Sequence, residues 1–215
     1  MTLRSHRVAV LMLEPVVGFD ATIPAQLLGS ARDESGRALY TVTMVSPDGA
    51  PVRTETGYAI VPDRDAGALR QADTVIVPGT GLPEARTSGQ LPPTVAAALH
   101  RRRAGSRLIS ICTGAFVLAA AGLLDGRPAT THWAHAERFR ELYPAVLLDE
   151  NQLFVDDGDL LTSAGVAAGI DLCLHLIRAD FGVAVANHAA RRCVVPPWRE
   201  GGQAQYIEHP VPVAG

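Results

Sequence analysis

Residues 107–115, RLISICTGA, decide the fold of this 215-residue chain, because they join a buried strand to a helix through a cysteine. Arg107–Ile111 is a short apolar run of the kind found in parallel sheets. Residues 115–121 have helical character, and Gly122 ends that helix. Cys112 therefore lies at the start of a helix, where unpaired N–H groups and the helix dipole favour a thiolate.

The two residues after Cys112 suit a reactive elbow. The amide of Thr113 is placed to hydrogen-bond a developing oxyanion, as in the strand-nucleophile-helix turns of α/β hydrolases. Gly114 allows close packing behind the nucleophile. Free cysteine is also among the most buried residue types, so the alternative interpretation of Cys112 is a small core residue.

Strands alternate with helices on both sides of this elbow, which predicts an α/β fold with a parallel sheet. The predicted strands outside the elbow are residues 7–13, 39–46 and Thr74–Val77. A crossover helix is predicted at residues 22–33, with Pro24 in its first turn.

Other elements complete the predicted domain. Residues 52–61 form an edge hairpin with no expected role in the site, and residues 153–163 form a second hairpin around Asp157-Gly158. The predicted later helices are residues 133–143, 166–181 and 183–194. The domain is expected to span residues 1–195, and the Pro/Gly-rich residues 196–215 form a tail or linker.

The overall composition excludes several classes of protein. The net charge of -3 lacks the basic excess of a nucleic-acid binder, and no apolar run is long enough to cross a membrane. No signal peptide is recognisable, so a cytoplasmic location is expected. The three cysteines form no C-x-x-C pair, which is typical of reduced thiols.

No cofactor and no metal are expected. Gly79-Thr80-Gly81 lacks the third glycine and the trailing acid of a dinucleotide fingerprint. His132 and His135 lie three residues apart, without an acidic partner at metal-ligand spacing. Residues 156–159, DDGD, resemble the start of a calcium loop, but Ala167 stands where that loop needs a glutamate, so a hairpin turn is the favoured interpretation.

The elbow and its surroundings resemble a known superfamily. The similar segments are CTGAFVLAAAGLLDG at 112–126, ATTHW at 129–133, LTSAGVAAGIDL at 161–172, ARRCVVPP at 190–197 and GGQ at 201–203. They resemble the ThiJ/PfpI superfamily of class I glutamine amidotransferase-like domains, and most of all the N-terminal domain of GlxA/AdpA-like AraC-type transcriptional regulators. The resemblance implies a flavodoxin-like three-layer sandwich with a mostly parallel central sheet and a cysteine nucleophile elbow.

The resemblance also implies site residues. Cys112 matches the elbow cysteine. Thr113, Gly79 and Gly114 are expected at the oxyanion or ligand site, the first two through their amides. Asp20 matches the acidic residue that approaches the cysteine from the first helix, and His132 matches a histidine near the pocket. Protease-like members have a histidine directly after the cysteine, and because Thr113 occupies that position here, a Cys-His pair by that route is absent.

Asp20 has a second interpretation, because an aspartate at a helix start also serves as a cap. If its carboxyl group faces Cys112, the two groups are expected to titrate as a unit. Glu14 is a weaker candidate for the acid beside the thiol.

Two functions remain open at this point. The first is a sensing and dimerisation domain of an AraC-family regulator, which forms a homodimer, binds an unidentified small molecule at Cys112, and contacts DNA only through a C-terminal domain that this chain lacks. The second is a cysteine-dependent hydratase or hydrolase of small carbon–nitrogen compounds, similar to isocyanide hydratase. Neither function requires a membrane.

Overall fold

The computed structural model describes residues 4–205, which contain a seven-stranded sheet and two small two-stranded sheets. The strands are β1 (His6–Leu11), β2 (Tyr40–Ser46), β3 (Val52–Arg53), β4 (Ala59–Ile60), β5 (Arg64–Asp65), β6 (Thr74–Val77), β7 (Arg107–Ile111), β8 (Pro128–Ala129), β9 (Leu147–Leu148), β10 (Phe154–Asp156) and β11 (Leu160–Ser163).

Helices separate most of these strands. The α-helices are α1 (Gly18–Leu27), α2 (Pro83–Thr87), α3 (Pro93–His100), α4 (Gly114–Ala120), α5 (Ala136–Leu142), α6 (Ala167–Phe181) and α7 (Val183–Cys193). Short 3-10 helices occupy Leu28–Ser30, Ala66–Gln71 and Trp133–His135. Within residues 4–205, no helix combines the length and the apolar character needed to span a bilayer.

The main sheet has the order β10-β11-β7-β6-β1-β2-β5, and every neighbouring pair is parallel except β10 with β11. Alternate residues of β1 supply both faces: Val8 and Val10 pack on one core cluster, and Ala9 and Leu11 pack on the other. One cluster contains residues of α1, α6 and α7, and the other contains residues of α2 to α5. The predicted three-layer sandwich with a mostly parallel sheet is confirmed.

Strand order determines where the site forms. The chain leaves β1 toward β2 on one side and returns to β6 on the other, so the topology reverses between β1 and β6. Ligand sites of open α/β sheets lie at the carboxyl ends of the strands near such a point. Asp20 follows β1, Gly79 follows β6 and Cys112 follows β7.

The first helix begins earlier than predicted. It starts at Gly18 rather than residue 22, so Pro24 lies inside the helix and not in its first turn. Val17, the N-cap residue of α1, makes no side-chain hydrogen bond to the helix. Instead, Glu55 Oε2 accepts a hydrogen bond of 2.9 Å from the Gly18 amide. The cap comes from a residue 37 positions away, which local sequence cannot reveal.

The predicted hairpin at 52–61 exists, but it is a separate two-stranded sheet rather than an edge of the main one. It also has a structural role, contrary to the prediction, because its turn carries Glu55. Val16 bridges to Thr54 of this hairpin and to Thr80 beyond β6. The hairpin therefore positions the start of α1, which carries Asp20. The second hairpin, β10 with β11, is confirmed.

Two other predictions need correction. The helix predicted at 133–143 is divided into a 3-10 turn, Trp133–His135, and α5, because His132 Nδ1 accepts the Ala134 amide and starts a short turn of its own. The predicted tail begins as a packed segment: the Leu153 amide donates to Gly201 O at 2.6 Å. Residues 206–215 of that tail lie outside the described residues.

Gly114 tests the packing of the elbow. A Cβ at this position would collide with the carbonyl oxygen of Val77 and lie 2.8 Å from that of Pro78, both backbone atoms of the β6 end. We expect Gly114→Ala to lower the free energy of unfolding by about 3 kcal/mol, the upper end of overpacking effects, because backbone moves less easily than side chains.

Gly29→Ala is the matched control. A Cβ at Gly29 meets no atom within 4 Å, and this glycine has no positive φ, so the stability should stay the same or rise by about 0.4–1 kcal/mol. Urea unfolding of both variants measures the difference. Equal stabilities would contradict the close contact at Gly114.

Candidate functional site

The elbow cysteine has an uncommon backbone conformation. Cys112 has φ +57°, in the left-handed region that residues with a Cβ rarely adopt. Its amide donates to Ser163 O at 2.9 Å, and its carbonyl accepts from Thr131 Oγ1 at 3.0 Å. Both polar backbone groups are therefore held by neighbouring segments, which maintain the strained turn. The residue is 5% exposed, so the sulfur lies just under the surface.

Thr113 joins the elbow to the end of β6 through a reciprocal pair of hydrogen bonds. Its Oγ1 accepts from the Thr80 amide and donates to the Thr80 carbonyl, both at 2.9 Å. The Thr113 amide hydrogen-bonds the Cys112 sulfur and favours its anionic form. The amide therefore lies beside the sulfur, and its role as an oxyanion donor stays a prediction.

Asp20 lies in the first turn of α1 and is fully buried. Its Oδ1 accepts from the Val166 amide at 3.1 Å, so it joins α1 to the start of α6 rather than capping its own helix. Its Oδ2 occupies the space that a Cβ would take at Gly79. This second oxygen, Oδ2, lies beside the Gly79 amide and the Cys112 thiol but makes no hydrogen bond of regular geometry.

Burial dominates the titration of this carboxyl group. It raises the pKa of Asp20 from 3.8 to about 6, against the stabilising effects of the Val166 amide, the Cys112 thiol and the Gly79 amide. A carboxyl group with this pKa changes charge near neutral pH.

The pKa of the Cys112 thiol is raised as well. Burial first and the Asp20 charge second raise the pKa of Cys112 to about 12, and the hydrogen bonds from Thr113 only partly offset them. The expectation of a resting thiolate is therefore wrong, because burial and a neighbouring carboxylate outweigh the helix N-terminus. The Cys112 thiol and the Asp20 carboxyl group lie close enough for each to affect the pKa of the other.

His132 lies close to the sulfur and is half-buried. Its Nδ1 accepts the Ala134 amide at 3.2 Å, which places the ring proton of the neutral form on Nε2. Burial lowers the pKa of His132, so the neutral form dominates. In this state the ring acts as a hydrogen-bond donor through Nε2 and has no free nitrogen to accept a proton.

Gly165 lies between the histidine and the thiol. A Cβ there would collide with His132 Cδ2 and lie 3.0 Å from Cys112 Sγ. The next residue, Val166, has φ +53° and donates its amide to Asp20. Sequence reasoning included both residues in a similar segment but missed their place in the site. A glycine next to a strand end was the available signal.

The site thus comprises a thiol, a buried acid beside it, amides from two strand ends and a donor histidine. Residues 6–179 match the model of the DJ-1/PfpI family. The chain belongs to the DJ-1/PfpI family.

The domain is similar to both regulators and an enzyme. It is 34% identical over 176 residues to the HTH-type transcriptional regulator GbdR of Pseudomonas aeruginosa, covering 81% of this chain and 47% of the regulator. It is 30% identical to the regulator GlxA of Rhizobium meliloti, covering 86% and 56%. It is 32% identical to the isonitrile hydratase of Pseudomonas putida, covering 84% and 75%.

A solved structure agrees with the fold. A ThiJ/PfpI family protein from Pseudomonas syringae superposes with a TM-score of 0.74 at 25% identity, covering 91% of this chain and 78% of that chain. The chain spans about half the length of the two regulators. The resemblance to ThiJ/PfpI domains of GlxA-like regulators is confirmed.

Other residues considered from the sequence are engaged elsewhere in this DJ-1/PfpI domain. Glu14 is exposed, and its carboxylate accepts the Arg53 amide at 3.1 Å. His135 contacts Arg86, and burial, Arg86 and His132 lower its pKa to about 4. Across residues 4–205, no three His, Cys, Asp or Glu side chains group in a way that could hold a metal ion.

The raised pKa of Asp20 predicts a pH-dependent stability. The folded state keeps a proton that the unfolded chain releases from pH 4 upward, so the stability contributed by Asp20 falls as pH rises toward 6. Between pH 4 and pH 7 we expect wild type to lose about 2 kcal/mol of unfolding free energy relative to Asp20→Asn, which does not titrate. Urea unfolding across this range measures the difference. Parallel pH profiles for the two proteins would contradict a buried titrating carboxyl group.

Proposed function

We propose that this domain is the N-terminal sensing and dimerisation domain of an AraC-type transcriptional regulator, with its small-molecule site at Cys112. The observation that carries the proposal is the match of 81% of the chain to about half of GbdR, with a similar match to GlxA. The closed site supports it, because a buried, protonated thiol suits ligand-dependent rearrangement better than rapid turnover.

The charge of the domain agrees with this role. At a net charge of -3 it lacks the basic face of a DNA reader, so DNA binding would come from a separate helix-turn-helix region. In this proposal the domain forms a cytoplasmic homodimer, which would place two such regions on two half-sites of an operator.

The coding sequence downstream of Gly215 and the mass of the protein in solution test this function. We expect an in-frame helix-turn-helix region after Gly215, and a dimer mass by sedimentation equilibrium across a dilution series. A stop codon directly after Gly215 would remove the regulator assignment. A monomer mass at all concentrations would remove the dimerisation role.

A second function is supported by the 32% identity to an isonitrile hydratase and by the Cys112-Asp20 pair. In such a reaction Sγ bonds to the isonitrile carbon, and the thiol proton passes through Asp20 to that carbon, which yields a thioimidate. Water then adds to the carbon, the C–S bond breaks, and an N-substituted formamide leaves with the thiol restored. In this scheme the Thr113 and Gly79 amides stabilise the charge that develops.

Alkylation of Cys112 distinguishes an available nucleophile from a closed one. In a Cys193→Ser background, which removes the half-exposed thiol, iodoacetamide labelling of Cys112 is followed by mass spectrometry against pH. We expect an apparent pKa well above the ordinary value in wild type and a lower one in Asp20→Asn, because that change removes a neighbouring negative charge. A higher apparent pKa in Asp20→Asn would contradict the pairing.

Turnover decides the enzymatic alternative. Formation of formamide from a simple alkyl isonitrile, lost in Cys112→Ser and retained in Cys193→Ser, would establish a hydratase. No turnover above the buffer rate in wild type would leave the sensing role as the function of the site.

A further inference from the structure

The side chain of Gln205 connects the C-terminal segment with the site. The two protons of its Nε2 are shared among three acceptors, which are Thr130 Oγ1 at 3.0 Å, Thr131 O at 2.8 Å and Gln152 O at 3.0 Å. Its Oε1 accepts the Trp133 amide at 2.9 Å. All polar atoms of this amide group are used, and three of its partners lie in one loop, residues 130–133. A side chain bonded in this way fixes that loop.

Further contacts hold residues 196–205, which we call the strap. Arg199 forms two hydrogen bonds with the buried carboxylate of Asp171, at 3.0 and 2.5 Å. Pro197 O accepts from Arg178, whose guanidinium also lies 4.2 Å from the ring centre of Trp198. The strap is thus a folded part of the domain, anchored by charge-assisted bonds at one end and by Gln205 at the other.

Loop 130–133 is shared by the strap and the elbow. The carbonyl of Thr131 accepts from Gln205, and the hydroxyl of the same residue donates to Cys112 O. His132 lies between Thr131 and Trp133, whose backbone groups are both bonded to Gln205. Two hydrogen bonds in series therefore join the strap to the nucleophile turn, and the same contacts hold the histidine beside Gly165.

A cavity of about 220 Å³ lies between loop 130–133, the start of α6 and the strap. Its lining combines residues of the site and of the strap, which are His132, Trp133, Gly165, Val166, Arg199 and Gln205. Cys112 Sγ lies behind Gly165, where even a Cβ would be 3.0 Å from the sulfur. A group added to the sulfur in this direction has no room unless His132 and its loop move.

We propose that the strap is the output element of the Cys112 site, released when a small electrophile forms an adduct on the sulfur. The adduct displaces His132 and loop 130–133, the bonds to Gln205 break, and the docked state of the strap loses its support. The inference extends the proposed sensing function, because it names the segment through which occupancy of the site would reach whatever follows Gln205. The equilibrium between docked and released strap is the two-state element.

Hydrogen exchange of the 215-residue chain tests the docking itself. We expect Gln205→Ala to speed amide exchange in residues 196–205 and 130–133 by roughly tenfold or more, as for a loss of about 1.4 kcal/mol of docking free energy. Gln203→Ala is the control, because Gln203 is an exposed glutamine of the same segment. Equal exchange in both variants would overturn the docking by Gln205.

The coupling is tested on Cys193→Ser protein carrying a carboxamidomethyl group on Cys112. Iodoacetamide forms an Sγ–C bond, iodide leaves and the thiol proton passes to solvent. Cys112→Met extends the side chain beyond the position of Sγ by comparable bulk without any reaction, and Cys112→Ala is its small control. We expect both bulky forms to speed exchange in the strap as Gln205→Ala does, and to add little in a Gln205→Ala background, while exchange in β6 stays constant.

Unchanged strap exchange in the alkylated protein and in Cys112→Met would overturn the coupling. Faster exchange throughout the domain, β6 included, would overturn it as well, because that result indicates general destabilisation. These measurements need no DNA and no downstream region. A stop codon after Gly215 would therefore remove the regulator assignment but leave the coupling between Cys112 and the strap intact. Unchanged strap exchange would remove the coupling but leave the regulator assignment intact.

Discussion

The buried carboxylate of Asp20 is the group on which the arrangement of the site depends. Removing an ionisable group from water is costly unless polar partners replace the water. Val166 supplies one amide, and the space left by the missing side chain of Gly79 brings a second amide and the thiol of Cys112 near. One carboxyl group thus links the segments that follow β1, β6, β7 and β11, and its raised pKa reflects the incomplete compensation.

Within residues 4–205, two of the three residues other than glycine with positive φ lie in the same region; the third, Val194, ends α7. Cys112 and Val166 both have positive φ, and both lie where a strand passes into a helix at the carboxyl edge of the sheet. Local preference disfavours these conformations, so surrounding bonds must impose them. Ser163 and Thr131 hold the backbone of Cys112, and Asp20 holds the amide of Val166. Two strained residues thus lie beside one thiol, and both are held by contacts from other segments.

The geometry explains how one scaffold serves regulators and an enzyme. A protonated thiol beside a carboxyl group with a pKa of about 6 is compatible with covalent addition and with a ligand-dependent change of shape. In this protein the thiol is closed in by Gly165 and His132, and the loop that closes it is bonded to the strap. Under the proposed coupling, a ligand that reaches the sulfur acts on the strap through these contacts.

By itself, the sequence determined the layered fold and the elbow. Apolar strands of the β6 and β7 type, separated by amphipathic helices, can bury both faces only in a parallel sheet, and the run around Cys112 identifies the family. Tertiary structure alone decided the start of α1, because its cap is Glu55, and the protonated state of Cys112, because burial and Asp20 act through space. It also decided the docking of Gln205, since contacts between residues more than fifty positions apart leave no periodic pattern in the chain.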